Sequence, residues 1–466
     1  MSKNDDGNSR RQKFLADGTL MDIVDPKAIL SRNIRLPSLS NSDKINLIIK
    51  GYPFYNGGYG IHTRELLFGI GDNYPNFNVK LDALPTPVDV DVFTERRLLF
   101  YQNNPININQ AIEIAACCPA HAKAYPNNNR KFTIMHTMVE TLPMSLDREP
   151  GSYIAKWLEL VDEIWVPSHY DRQRFDGICA SSKLKVMNLG VRTDLFHPGV
   201  SPIEILNTKD KFVFLVDSTW SPRKGIKYIL KAFSMAFKKS DPVVLLLMTK
   251  YGTRPYGYLY PVCSWLWGKL RKQKYLHKLP GVNLIEYYGD SYWNIPNSFK
   301  RIVEEEKIDL SQTPEICLLD IPIHEKILPH FYASAYCLVG ASLGESTWLP
   351  GIQALSMDIP IIQMRQNWGG YGEYIDTMYS YLYDNDGMID ADEELTKGTS
   401  DYYANQQFPK PDVTALARRM RLVFDDYATA KQETKLVGDV IRANWDWDEK
   451  LKPVVKRLED IHATIS

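Results

Sequence analysis

The sequence predicts an α/β protein made of two doubly wound units facing a central cleft, and three observations predict it. Strand-like apolar runs alternate with helical spacings in two series, the polar stretch HPGVSPIEILNTKDK separates the series, and 466 residues exceed one ordinary core. Strands alternating with helices imply parallel sheets, whose ligands bind outside the carboxyl ends of the strands.

Residues 1–44 are polar and poorly periodic and read as an N-terminal arm. The first unit, 45–200, opens with INLIIK, a branched run with the length of a buried strand. The turn GYPFYNGGYG follows, and IHTRELLFGI then places Ile61, Leu66, Leu67 and Ile70 at helical spacing. Such a strand, glycine loop and helix aims backbone N–H groups at a ligand above the sheet, although glycines also end strands for purely conformational reasons. KFTIMHT continues as a strand ending at His136, SYIAKWLELV as a helix, EIWVPS as a strand, HYDRQRFDGI as a helix and KLKVMNLGV as a strand. His62 reads as a helix-surface or acceptor-side residue.

The second unit, 210–440, begins with the strand FVFLVDS, the loop TWSPRKG and the helix IKYILKAFSMAFK. PVVLLLMT and EICLLDIP are strands, HEKILPHFYASA is a helix and YCLVGAS a strand. Between them, about 252–313 is aromatic and locally basic and reads as an insertion. It is either an acceptor or interface surface touching anionic lipid, or a packed helical segment with a solvated lysine face. The acidic stretch DNDGMIDADEELTKGTSD reads as a solvated loop, since a calcium site needs a tighter ligand rhythm.

Composition narrows the classes of function. With 55 Lys plus Arg against 56 Asp plus Glu, no global basic field attracts nucleic acid, so any anion site must be local. Six cysteines form no CxxC pair, which favours reduced thiols and a cytoplasmic location over a disulfide framework or a zinc site. The N-terminus lacks an apolar signal core, and no apolar stretch approaches the roughly 20 residues of a membrane span.

Two charged constellations remain. STWSPRKG sets Arg223 and Lys224 where a strand gives way to a helix, and a guanidinium fork beside a mobile ammonium suits a diphosphate. GESTWLPGIQAL follows a later strand of the same series, so its loop should line the same cleft. Pro350 and Gly351 place the helix start after Glu345, which leaves that carboxylate free to meet a polyhydroxylated ligand. Gln353 falls on the early helix, where an amide can share hydrogen bonds with ribose hydroxyls.

SPRKG after a strand and ESTWLPGIQAL after YASAYCLVGAS, with VMNLGVRTDLFHP closing the first half and NWDWDEKLKPVVKRL near the end, resemble the family 4 retaining glycosyltransferases. The resemblance covers roughly 45–460. It implies the GT-B fold, with two Rossmann-like domains enclosing a nucleotide sugar and a last helix, about 445–466, that crosses back to the first domain through Trp445 and Trp447. It also implies that Arg223 and Lys224 hold the donor diphosphate, that Glu345 stands near the transferred sugar, and that His136 lies beside it. Gly57 and Gly58 match the glycine loop facing phosphates and acceptor, and Leu349 belongs with Gln353 among the nucleotide contacts. Gln353 departs from the family, which has a second Glu there, and Arg192 departs from a turn that often carries Asp.

The reaction the resemblance implies is transfer of a hexosyl unit from a UDP-glucose or GDP-mannose type donor to a glycan, lipid or protein hydroxyl, with anomeric retention. No cofactor and no metal are expected, because cationic side chains can take the metal's part. Two alternatives share the architecture: a nucleotide-sugar-binding protein that lost activity, suggested by Gln353, and a nucleotide-sugar epimerase.

Overall fold

The computed structural model describes residues 44–86, 90–117, 129–138, 140, 158–175, 179–205, 207–250, 282–287, 295–320, 323, 325–365, 370–375, 379–391 and 407–465. The expected arm, most of the SYIAKWLELV helix and residues 252–281 lie outside them.

The first sheet contains β1 (Ile45–Gly51), β2 (Phe77–Ala83), β3 (Ile112–Ala116), β4 (Phe132–His136), β5 (Glu163–Val166) and β6 (Leu184–Val186). They run in the order β2-β1-β3-β4-β5-β6, every neighbouring pair parallel. Among the described residues its helices include α1 (Gly58–Asn73), α2 (Val92–Gln102) and the short α3 (His169–Arg174). Strands such as β1 carry Leu47, Ile48 and Ile49 in unbroken succession because helices cover both faces of a parallel sheet.

The second sheet is wound the same way. It contains β7 (Phe212–Thr219), β8 (Val243–Lys250), β9 (Val282–Tyr287), β10 (Glu315–Asp320), β11 (Cys337–Val339), β12 (Ile361–Met364) and β13 (Leu382–Tyr383), in the order β13-β12-β11-β7-β8-β10-β9. Its helices include α4 (Ile226–Ala236), α5 (Ile295–Glu305), α6 (Leu328–Ala333) and α7 (Leu349–Ser356). In α4 the buried Ile226, Ile229, Leu230 and Phe233 recur at three- and four-residue steps, which turns one stripe toward the sheet.

Two expectations change. β9 and α5 fall within the stretch read as an insertion, yet β9 pairs in parallel with β10, so this part is integral to the sheet. The acidic stretch read as a solvated loop opens as a strand, β14 (Asn385–Asp390), antiparallel to β15 (Gln407–Pro411). β14 is mostly exposed and polar, so its own residues carry little apolar alternation, whereas its partner β15 buries Phe408.

The chain ends in α8 (Val413–Asp425), α9 (Tyr427–Asn444) and α10 (Trp447–Ile465). Trp447, Leu451, Val454, Leu458 and Ile461 of α10 are buried in the core of the first sheet, whereas Trp445 is buried in the core of the second. The crossing is tied to the turn after β6, with Val191 N–H donating to Trp445 O (2.9 Å) and Trp447 N–H to Val191 O (3.2 Å). No helix among the described residues is long and apolar enough to cross a membrane.

Candidate functional site

Both strand orders reverse next to the first strand of their sheet, between β1 and β3 and between β7 and β11. At such a switch point neighbouring strands send their following segments to opposite faces, which leaves a crevice at their carboxyl ends. The glycine loop follows β1, the SPRKG loop follows β7 and the GEST loop follows β11. Three motifs far apart in the chain therefore converge for a topological reason.

In the SPRKG loop, Pro222–Lys224 form a single 3-10 turn, and Gly225 at φ +69° redirects the chain into α4. Arg223 and Lys224 thus sit one turn before the helix rather than on its first turn. Arg223 Nη1 donates to the Gly344 carbonyl, and its own carbonyl accepts from Leu343 N–H at 2.8 Å. Lys224 Nζ donates to Glu345 Oε1.

Glu345 is in the loop ahead of α7, as its spacing from Pro350 implies, and is 7% exposed. Burial alone would raise its carboxyl, but Lys224, Arg223 and a hydrogen bond from Ser342 outweigh that and hold it below the ordinary carboxylate range. Burial pushes the Lys224 ammonium down, against the pull of Glu345. Trp348, which caps α7, lies at φ +50°, a strained conformation for a bulky residue. The Tyr374 hydroxyl holds this turn from 2.9 Å to Thr347 O and 3.0 Å to Trp348 O. Gln353 is buried on α7.

The first domain supplies the opposite wall. Gly57 caps α1 and Gly58 begins it, and a β-carbon placed on Gly58 would lie 4.0 Å from Leu349 Cδ1 at the head of α7. Two helix N-termini, with their free N–H groups, therefore face the cleft. Leu349 packs against the cores of both domains. Arg64 Nη1 donates to Pro53 O and Tyr55 O, both at 2.9 Å, and its Nη2 lies 3.2 Å from Glu325 Oε2 of the second domain. Asn56 Nδ2 donates to Ile323 O at 2.8 Å. The glycine loop is thus fastened across the cleft.

The resemblance places His136 beside the donor sugar; it ends β4 at its carboxyl end and is 1% exposed. Along β4, side chains alternate, and His136 takes the same face as Ile134, which is in the first core. Its Nε2 is 3.1 Å from the Met187 carbonyl, so that nitrogen carries the proton and Nδ1 accepts from His62 Nε2 at 2.9 Å. His62, expected on a helix surface, is fully buried, one helical turn from Leu66, and its Nδ1 has no partner.

Burial lowers both histidines, His136 to about 3 and His62 well below its ordinary value. Neutral when folded and protonated below about pH 6.5 when unfolded, each contributes stability that is complete above that pH and is lost as pH falls toward the folded value. The expected loss by pH 5 is on the order of 2 kcal/mol for His136, with a loss of the same sign for His62. Imidazole NMR signals of this pair should stay unshifted down to pH 5, and a midpoint near 6.5 for both would refute the buried pair.

Residues missed in the sequence complete the site. Glu140, just past β4, brings Oε1 to 3.5 Å from Arg223 Nη2. Asp171 of α3 accepts from Ser346 Oγ of the GEST loop at 2.7 Å. MVETLP carries Glu140 without a periodic or spacing signal that distinguishes it from any loop carboxylate. Arg192, which stands where such a turn often carries Asp, lies 3.5 Å from Glu65 of α1. A groove of about 690 Å³ between α4, α5 and the β14–β15 hairpin is lined by Trp220, Ile302 and Met388, and by none of Arg223, Lys224 or Glu345.

Two parallel sheets with their switch points face to face define the GT-B class of architecture. No family model and no curated protein matches the sequence. In fold it is similar to a sucrose-phosphate synthase from Thermosynechococcus elongatus, at 12% identity and TM-score 0.58 over 90% of this chain and 100% of that one. An α,α-trehalose 6-phosphate synthase from Burkholderia multivorans is similar at 11% identity and TM-score 0.56, over 91% and 100%. The Anabaena protein HepE, solved with UDP-glucose, is similar at 11% identity and TM-score 0.55, over 89% and 100%.

Proposed function

We propose that this protein is a glycosyltransferase that moves a hexosyl unit from a nucleoside-diphosphate sugar to a hydroxyl acceptor, with retention at the anomeric carbon. The observation that carries the reading is the convergence of Arg223, Lys224 and Glu345 at the β7/β11 switch point, opposite the glycine-headed N-terminus of α1. The fold likeness to HepE, which was solved with UDP-glucose, favours a UDP-hexose as donor.

In this reading Arg223, Lys224 and the two helix N-termini stabilise the charge that grows on the departing diphosphate. Glu345 has one oxygen on Lys224 and sits where the second can meet sugar hydroxyls or the developing oxocarbenium charge. The diphosphate oxygen takes the acceptor proton on the face it leaves, so the new bond forms on that face and configuration is kept. His136 accepts from His62, whose ring stacks with that of Trp447 of the crossing helix, ring centroids 6.3 Å apart.

The test is a proton NMR time course with UDP-glucose, GDP-mannose and related donors, with and without a mixed panel of sugar acceptors and in the presence of EDTA. Nucleoside diphosphate release with an α-anomeric product signal is expected from one donor. Binding without consumption would favour a nucleotide-sugar-binding protein, and acceptor-independent conversion an epimerase.

A further inference from the structure

Residues 340–348 form neither helix nor strand, so the place of Glu345 depends on what grips its neighbours. The second domain grips the GEST loop at two points. Lys224 donates to the Glu345 carboxylate, and the Tyr374 hydroxyl reaches the Thr347 and Trp348 carbonyls. The residue between them, Ser346, is held from the first domain. Its Oγ donates to Asp171 Oδ2 at 2.7 Å, 175 positions away in sequence, and both side chains are buried.

Asp171 is itself fixed on its own side of that contact. It lies in the first turn of α3, where the capping Ser168 Oγ accepts from the Asp171 N–H at 2.9 Å and donates to its Oδ2 at 2.6 Å. The other carboxylate oxygen accepts from Arg174 Nη1 at 2.9 Å. A carboxylate held in this way is a rigid acceptor, and a hydrogen bond to it is of the stronger, charge-assisted kind. The backbones meet closely here as well. A β-carbon on Gly370 would lie 1.6 Å from the Ser346 carbonyl oxygen and 3.1 Å from Ser168 Oγ. Glu373, in the same 3-10 turn as Gly370, accepts from the His169 N–H at 2.6 Å. Ser346 is pinned between α3 of one domain and the Gly370–Glu373 turn of the other.

We infer that Asp171 is a positioning residue for Glu345: from the first domain it fixes Ser346, and through that residue it sets where the neighbouring carboxylate lies in the cleft. The inference deepens the proposed function and rests on that reading for the role of Glu345. It also ties the placement of Glu345 to contact between the domains, because parting α3 from the GEST loop breaks the bond that fixes it.

The experiment compares the wild-type protein with Ser346→Ala, which removes the donor hydroxyl, and with Asp171→Asn, whose folding is checked by its melting temperature because Arg174 loses a buried charged partner. Hydrogen–deuterium exchange is read on a peptide spanning 340–349 and on one from β7. The loop peptide should exchange about 10-fold faster in both variants, the effect of losing one buried charge-assisted hydrogen bond, while β7 keeps its wild-type rate. Ser346→Ala decides alone where Asp171→Asn does not fold, and wild-type exchange of its loop peptide would overturn the inference. With a donor that is turned over, Ser346→Ala should lower kcat about 10-fold or more and leave the donor KM within about 2-fold. In a Glu345→Ala background the same change should cost less than about 2-fold, since no carboxylate remains to be placed. Equal losses in the two backgrounds would make Ser346 a merely structural contact and overturn the role. Faster loop exchange in both variants, with no donor consumed by the wild-type protein, would keep the positioning of Glu345 by Asp171 and overturn the nucleotide-sugar reading instead.

Discussion

Lys224→Ala is expected to lower turnover by about 10³-fold, the upper range for losing one pre-organised donor to a developing oxyanion. The same change leaves Glu345 buried without its closest cation, which is destabilising in its own right. The two effects separate through pH. With Lys224 present, its charge helps hold the Glu345 carboxyl low; without it, burial dominates and raises that carboxyl. A raised carboxyl contributes stability below its unfolded value and loses it as pH rises through the folded one. The deficit of Lys224→Ala against wild type should therefore be smaller in mild acid than at neutral pH. Adding Glu345→Gln should recover melting temperature without recovering turnover. Recovery of both would remove Lys224 from the chemistry.

Gly225→Ala is expected to cost about 3 kcal/mol or more and to lower the melting temperature by roughly 10 °C, with turnover falling as the SPRKG turn shifts. Two separable costs act there. Alanine at φ +69° carries the left-handed penalty, on the order of 1 kcal/mol, and its methyl would lie 1.9 Å from the Ala341 carbonyl oxygen, so the backbone of one loop must move. Gly387→Ala is the internal control: its φ is +78°, yet nothing lies within 4 Å of an added β-carbon. It should pay the conformational cost alone and leave turnover intact. Similar melting curves for the two variants would show that the packing of the SPRKG turn against Ala341 has been misread.

Much of this could be read without coordinates. INLIIK, FTIMH, EIWV, FVFLVDS and VVLLLMT became strands because short branched apolar runs bounded by turn residues have few other stable uses. Pro350 and Gly351 correctly left Glu345 outside α7, since proline is tolerated in the first turn of a helix. Local chemistry is silent where a side chain's direction matters. His136 ends a strand whichever way it faces, and only packing shows that it shares a face with Ile134. His62 reads as a surface residue by type, yet the step from 62 to 66 to 70 puts it on the buried stripe of α1 with Leu66 and Ile70.

What the sequence determined by itself is the alternation of strands and helices, and with it the doubly wound class, because period and turn chemistry act over a few residues. It also carried, in SPRKG and GEST, the residue types that the proposed function assigns to a diphosphate. What only the tertiary structure decided is which charges meet. Strand order placed the loops after β7 and β11 side by side, and the crossing of α10 joined its core to the first domain. Glu140 met Arg223 across 83 positions of sequence. No local rule encodes that meeting, because ion-pair partners at such separation are set by how whole sheets pack.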